Sequence, residues 1–167
     1  MKRLIFILTI MTAVLGFAFA AHAIDIDGGS FPVTATVVPT CEVTTTGINF
    51  GDYGGLAVEA EGSVDVTCIM DLSYQVGLDV GMYGDQLGRQ MSDGDNFLPY
   101  AIFQDDVLSE QWGDSCVSSP TFGSELCAGS FAGTGTANNL TTWGQIPANQ
   151  QVPVGDYSDV VVVTIVY

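Results

Sequence analysis

The sequence predicts an all-β domain of the sandwich type. The 167 residues include 20 glycines, and no long stretch places apolar residues at helical spacing. Short segments of alternating apolar and polar residues are instead separated by turns rich in glycine and aspartate. Seven or so short strands of this kind are typical of a sandwich.

The first 23 residues have the three parts of a secretory signal peptide. Lys2 and Arg3 form a basic start, residues 4–20 are largely apolar, and an Ala-His-Ala site ends at Ala23. A retained membrane anchor is the alternative, but the small residues at the end of the run favour cleavage. We therefore expect an exported mature chain beginning at Ile24, with no membrane insertion after cleavage.

The mature chain is expected to be strongly acidic. Removing the leader takes away two of the three basic residues and the one histidine, which leaves Arg89 against 19 carboxylates, a formal charge of −18. Such a polyanion does not neutralise phosphates, so nucleic acid and anionic membranes are excluded as partners. The charge favours solubility and repulsion between copies.

The first strand is expected within residues 31–38, where apolar side chains alternate with small polar ones. It could pair within its own molecule or with another molecule, and the pattern alone leaves both open. The apolar residues that share one face are Phe31, Val33, Ala35 and Val37.

The remaining strands follow in order. Residues 64–68 and 72–80 alternate, and the short connection around Asp71 predicts a hairpin between them. Residues 81–96 and 113–139 have loop composition. The other strands are expected at residues 48–50, 97–104, 107–112, 141–147 and 156–167.

The last strand is apolar on both faces from Val160 to Tyr167. Such a run is typical of a strand that is covered on both sides. At an exposed edge it would invite another strand to add to the sheet.

Four cysteines in an exported chain predict disulfides, and three pairings are possible. We favour Cys41 with Cys68, which would join two early strands, and Cys116 with Cys127, which would close a Gly/Ser/Pro-rich loop. A zinc site is disfavoured because the mature chain has no histidine and no Cys-x-x-Cys spacing.

Several segments together resemble the spore coat protein U domain family, which includes the subunits of archaic chaperone-usher pili. The resemblance covers nearly the whole mature chain in the right order. It is carried by "VTATVVPTCEV", "INFGDY", "VDVTC", "YAIFQDD" and, most specifically, "WGQIPANQQVPVGDYSDVVVVTIVY".

The resemblance implies an incomplete immunoglobulin-like, pilin-type sandwich that is completed by donor-strand complementation. Residues 1–23 would be the signal peptide, 24–38 the donor-strand extension and 39–167 the sandwich domain. A periplasmic chaperone would cover the groove first, and the extension of another subunit would replace it at the outer-membrane usher. In that picture Phe31, Val33, Ala35 and Val37 are the donor residues, and Val161, Val163, Ile165 and Tyr167 line the groove.

The same resemblance implies a structural role, in a homo- or heteropolymeric pilus on the surface of a Gram-negative bacterium, supporting attachment and biofilm formation. One domain favours a rod or adaptor subunit over a tip adhesin. The family also pairs the cysteines that correspond to Cys41 and Cys68, whereas Cys116 and Cys127 are an addition. The alternative function is a secreted spore or cell coat protein, acting as a self-complemented monomer or a coat layer.

Three other function classes are less favoured, and no cofactor is expected. An enzyme would have to rely on carboxylates alone. A calcium site at Asp93, Asp95 and Asn96 does not fit the twelve-residue loop with its closing glutamate. A sugar-binding surface would use exposed aromatic residues, but Trp112 and Trp143 lie in strand-like segments and are more typical of a core.

Overall fold

The computed structural model describes residues 28–85, 87–117, 120–121 and 127–167, and these residues contain no helix. The expected signal peptide and residues 24–27 of the expected extension lie outside the described residues. The chain divides into two units, residues 1–36 and 37–167. Residues 28–40 are part of no strand, so the strand expected at 31–38 is not formed. A β-strand needs a partner with which it exchanges main-chain hydrogen bonds.

The described residues form eight strands in two antiparallel sheets. The strands are β1 Cys41–Thr46, β2 Val58–Cys68, β3 Ser73–Leu78, β4 Arg89–Ser92, β5 Phe97–Phe103, β6 Ala128–Ala132, β7 Asn138–Ile146 and β8 Val163–Val166. The five-stranded sheet has the order β1-β2-β7-β5-β4, and the three-stranded sheet has the order β6-β3-β8. All pairs of neighbouring strands are antiparallel.

Alternation of apolar and polar residues places one face of each central strand in the core. Val64, Val66 and Cys68 of β2 are buried, while the residues between them are less so. The same alternation appears along β3, β5 and β7. The buried core residues are Val64, Val66, Cys68, Tyr74, Val76, Leu78, Leu98, Tyr100, Ile102, Trp112, Ala128 and Ile146.

The hairpin predicted around Asp71 is wrong. β2 and β3 belong to different sheets, and β3 pairs with β6 and β8 instead. Asp71 has a positive φ of 62°, and its N–H donates to the Gly133 carbonyl at 2.9 Å. Because β2 and β3 each bury one apolar face, they contribute to the same core from opposite layers rather than from one sheet.

Three local predictions also fail. The loop predicted at 81–96 contains β4, and the loop predicted at 113–139 contains β6 and the start of β7. The short strand expected at 107–112 is reduced to an isolated bridge between Phe103 and Gln111. Short polar strands such as β4 carry little periodicity, so pairing with β5 decides their conformation.

Ile48 and Phe50 do not form a strand, although they alternate. Their side chains lie over two glycines: a Cβ added at Gly144 would meet the Phe50 ring at 2.8 Å, and one added at Gly62 would meet Ile48 at 2.9 Å. These glycines let the loop after β1 pack both apolar side chains against the core.

Two disulfides are present, and they have the pairing that we favoured. Cys41 and Cys68 lie opposite each other in the β1–β2 ladder, with their Cα atoms 4.1 Å apart. The Cys116–Cys127 disulfide has a Cα separation of 5.7 Å. Its Cys127 sulfur lies beside Gly77 of β3, where an added Cβ would meet it at 3.2 Å.

Candidate functional site: an open cleft between the sheets

Within the described residues, each sheet ends in a strand with one unpaired edge. β1 pairs only with β2 and ends the five-stranded sheet. β8 pairs only with β3 and ends the three-stranded sheet. Unpaired edges present main-chain N–H and C=O groups that can accept an additional strand.

The core-facing side chains of β1 are not covered. Val43 lies opposite Val66, and Thr45 lies opposite Val64, so all four point to the same side of the sheet. The β2 partners are 0% and 3% exposed, yet Val43 is 39% exposed and Thr45 is exposed as well. The β1 face therefore points toward the core but remains exposed among the described residues.

The core-facing side chains of β8 are also incompletely covered. Val163 lies opposite Leu78, and Ile165 lies opposite Val76. Both β3 partners are buried, whereas Val163 and Ile165 are only half-buried. The two edge strands therefore share one feature: their inward side chains lack a covering layer.

A cleft of about 310 Å³ opens between these edges. Its walls come from the end of β1 with the following loop and from the segment leading into β8, and its floor is the core. The lining residues are Thr45, Thr46, Gly47, Ile48, Phe50, Ser63, Val64, Leu78, Met91, Tyr100, Ile102, Thr142, Tyr157, Ser158, Asp159, Val161 and Val163.

The open edge of β8 also offers hydrogen-bonding groups. The Asp79 N–H donates to the Val162 carbonyl at 3.1 Å, and the next hydrogen-bonded pair along an antiparallel ladder is Gly77 with Thr164. The N–H and C=O of the intervening Val163, and of every second residue after it, therefore point away from β3. The side chain of Val163 faces the cleft at the same time.

Polar contacts hold the segment that precedes β8. The carboxylate of Asp159 accepts hydrogen bonds from the Tyr100 hydroxyl at 2.7 Å and from the Met82 N–H at 2.9 Å. The Val162 N–H donates to the Asp79 carboxylate at 2.8 Å. These hydrogen bonds hold the segment before β8 in place, although its Val160 and Val162 are exposed.

Arg89 anchors the neighbouring end of β3. Its side chain is 1% exposed, and it donates from Nε to the Asp79 carbonyl at 2.8 Å and from Nη2 to the Leu78 carbonyl at 2.7 Å. Burial lowers the pKa of Arg89 to about 10, while Tyr100 and nearby carboxylates act in the opposite direction. The guanidinium therefore remains charged at neutral pH.

Burial raises the pKa of the Tyr100 hydroxyl, and its hydrogen bond to Asp159 raises it further. The hydroxyl is therefore protonated at neutral pH and donates to the carboxylate. Tyr100 therefore places a neutral hydrogen-bond donor in the lining of the cleft, beside the Asp159 carboxyl group that accepts from it.

The predicted groove residues do not all occupy the same environment. Val161 and Val163 line the cleft, and Ile165 is half-buried against the core. Tyr167 is 59% exposed. The sequence analysis missed the opposite wall, where Thr45 lines the cleft, although the spacing of Thr45 from Cys41 places it on the same face as the disulfide.

The predicted donor residues are exposed. Phe31, Val33 and Val37 have 89%, 84% and 81% of their surface exposed, and Ala35 is exposed too. Four residues of alternating spacing thus present apolar side chains to solvent, and exposed apolar surface is typical of interaction sites.

The acidic loop at residues 93–96 is explained as a turn. The Asp93 carboxylate accepts hydrogen bonds from the N–H groups of Asp95 at 3.0 Å and Asn96 at 2.7 Å. Both hydrogen bonds lower the pKa of Asp93, and the bond from the Asn96 N–H has the larger effect. Within the described part of the chain, no group of three or more His, Cys, Asp or Glu residues is arranged to hold a metal ion.

The described ranges contain no helix that is long and apolar enough to cross a membrane. No curated protein matches the sequence. A solved structure that resembles the chain is the crystal structure of the CsuC-CsuE chaperone-tip adhesion subunit pre-assembly complex from archaic chaperone-usher Csu pili of Acinetobacter baumannii.

The match to a chain of that complex has a TM-score of 0.56 and 24% sequence identity, over 79% of this chain and 40% of that chain. This chain therefore spans less than half the length of its structural relative, and the likeness concerns the fold. It confirms the predicted all-β, immunoglobulin-like class. The model of the Spore Coat Protein U domain matches residues 28–164, and the chain therefore belongs to the spore coat protein U domain family, as the sequence predicted.

Proposed function

We propose that this protein is a structural subunit of an archaic chaperone-usher pilus that polymerises by donor-strand exchange. In each junction, the tail of one subunit (residues 24–38) inserts as a strand into the cleft of a neighbouring subunit. The neighbour is either a second copy of this chain or another pilus subunit.

The observation that carries the proposal is the uncovered pair of edges. Val43 on one side and Val163 on the other point toward the core without a layer above them. One added strand, pairing with the free edge of β8, would cover both faces and satisfy the main-chain groups of that edge.

The tail has the chemistry that the cleft requires. Its apolar residues recur every second position, so an extended tail places all of them on one side. Each well-buried large apolar side chain would contribute about 1.5 to 3 kcal/mol, and Ala35 would contribute less. Pro32 lacks an N–H, which is tolerated where that position faces away from the partner strand.

The proposed assembly route follows from family membership and from the structural relative, which is itself a chaperone-subunit complex. The chain would be exported to the periplasm, folded with a strand lent by a chaperone and passed to an outer-membrane usher. The fibre would lie at the cell surface and support attachment and biofilm formation, without catalysis.

The proposal is tested by a matched pair of tail variants. Val33→Asp puts a carboxylate on the inserted face, whereas Thr34→Asp puts the same charge on the opposite face. We expect the first to abolish, and the second to retain, polymers that run as ladders in SDS and collapse after heating. Ladders that persist in Val33→Asp, or a wild-type protein that is a stable monomer, would contradict the proposal and favour the coat-protein alternative.

A further inference from the structure

We propose that Pro39 and Thr40 prevent the tail from folding back into the cleft of its own molecule. This inference rests on the proposed function and concerns its partner: the tail is restricted to another subunit. Pro39 and Thr40 lie between the apolar tail and the first residue of β1.

The point at which the tail would have to reverse is narrowly defined. The Thr40 carbonyl accepts a hydrogen bond from the Ile69 N–H at 3.2 Å, which extends the β1–β2 ladder by one residue before Cys41. Because the Thr40 carbonyl faces β2, Cys41 is the first residue whose main-chain groups face the free edge of β1. A tail that returns along this edge must therefore form a hairpin with β1 whose turn includes Pro39 and Thr40.

A two-residue turn gives the wrong face. If Pro39 and Thr40 form the turn, Val38 lies opposite Cys41 and Thr36 lies opposite Val43. Because Val43 points to the core side, the tail would bury its threonines and expose its apolar face. A four-residue turn has the same parity and the same defect.

A three-residue turn gives the right face but requires the wrong residues. With Val38, Pro39 and Thr40 in the turn, Ala35 would lie opposite Val43. Such turns consist of a type I turn followed by a residue in the left-handed region. Proline is disfavoured at the second central position of a type I turn, and a β-branched threonine is an outlier in the left-handed region.

Longer turns shorten the inserted strand. A five-residue turn restores the parity but takes Val37 out of the inserted face, leaving three of the four apolar residues. Insertion into another subunit needs no turn and keeps all four. For every turn length up to five residues, the connection therefore favours insertion into another subunit over insertion into the same molecule.

The test is a double variant that supplies the missing turn. Pro39→Asp with Thr40→Gly provides residues that suit a type I turn followed by a left-handed residue. We expect this variant, expressed with its leader and without a chaperone, to be a monomer with little or no SDS-resistant ladder. The matched control carries the same two changes plus one alanine inserted between Val37 and Val38, which puts the threonines on the inserted face whenever the designed three-residue turn is kept and should restore ladder formation.

A second measurement tests the intramolecular pairing directly, without reference to ladders. In a chain with Ala35→Cys and Val43→Cys, an intramolecular disulfide between these positions should be absent with the natural turn and should form with Pro39→Asp and Thr40→Gly. Formation with the natural turn would overturn the inference, as would ladders of wild-type intensity in the turn variant.

The two proposals fail in different ways. If Val33→Asp leaves the wild-type ladders intact, donor-strand exchange by this tail is wrong. If Val33→Asp abolishes the ladders but Pro39→Asp with Thr40→Gly leaves them unchanged, exchange stands and only the role of the turn residues is wrong.

Discussion

Val43 and Val66 lie opposite each other in the β1–β2 ladder and point to the same side, yet Val66 is completely buried and Val43 is 39% exposed. Paired residues in one sheet normally share their burial, because the same layer covers both. The difference marks the position at which the covering layer of the sandwich ends.

Substitutions at this pair should separate folding from assembly. Val43→Ala should leave subunit yield unchanged but lower the temperature at which SDS-resistant ladders collapse, since about 1.5 kcal/mol of apolar burial is lost only in the complemented form. Val66→Ala should instead reduce the yield of folded subunit, by about 2 to 3 kcal/mol of stability. Equal effects of both changes on yield would contradict an uncovered β1 face.

Removal of Arg89 should destabilise the wall of the cleft. Arg89→Ala leaves the Leu78 and Asp79 carbonyls and the nearby carboxylates without their buried cation, which should cost about 3 to 5 kcal/mol in the free energy of unfolding. Arg89→Lys keeps the charge but cannot reproduce the fork of the guanidinium, so we expect an intermediate loss. Urea denaturation of the three proteins checks the order of their free energies of unfolding. An Arg89→Lys variant as stable as wild type would show that the two hydrogen bonds of the guanidinium are not needed.

The contribution of Tyr100 to stability should fall as the pH rises above about 10. Tyr100 has a folded-state pKa above its unfolded-state value, so its contribution is complete below the unfolded value and is lost as the pH rises through the window between the two. Arg89, with its pKa lowered to about 10, contributes with the opposite sign in the same range.

A comparison with Tyr100→Phe isolates the tyrosine, because Arg89 is present in both proteins. We expect the urea midpoint of wild type to fall more steeply than that of Tyr100→Phe between pH 9 and 11, values chosen around the tyrosine reference of about 10. Parallel curves would show that Tyr100 does not ionise differently on unfolding.

The two disulfides should differ in their effect on assembly. Loss of Cys41–Cys68, with a sequence separation of 27, should cost about 3 to 4 kcal/mol and weaken ladders, because it releases the start of β1 beside the cleft. Loss of Cys116–Cys127, with a separation of 11, should cost about 3 kcal/mol but leave the ladder pattern intact. Serine pairs at each disulfide test this, and the opposite ranking of ladder loss would contradict it.

The central strands were predictable because burial of one face imposes a period of two on the sequence. Val64 and Val66 in β2 and Tyr74 and Val76 in β3 follow this rule, and both segments are strands. Periodicity reports which residues share a face, but not which strand lies beside which. The connection at Asp71 was therefore assigned to a hairpin, whereas it carries the chain from one sheet to the other.

The cleft was predictable in part. The apolar run that includes Val161 and Val163 predicted one wall, because a continuous apolar strand is stable only where it is covered. The opposite wall depends on Ile48 and Phe50, whose alternation looked like a strand. Their position is set by Gly144 and other small residues on distant strands, and such contacts between layers leave no local signature in the sequence.

Burial of Arg89 has a further consequence for any filament made of this subunit. Arg89 is the sole lysine or arginine after Arg3, and it is buried. All charged side chains on the surface of the described residues are therefore carboxylates. Filaments with such an exterior repel one another over about 10 Å at 0.1 M salt and further in fresh water. Ionic strength and divalent cations, rather than subunit contacts, would then set how closely neighbouring filaments can bundle.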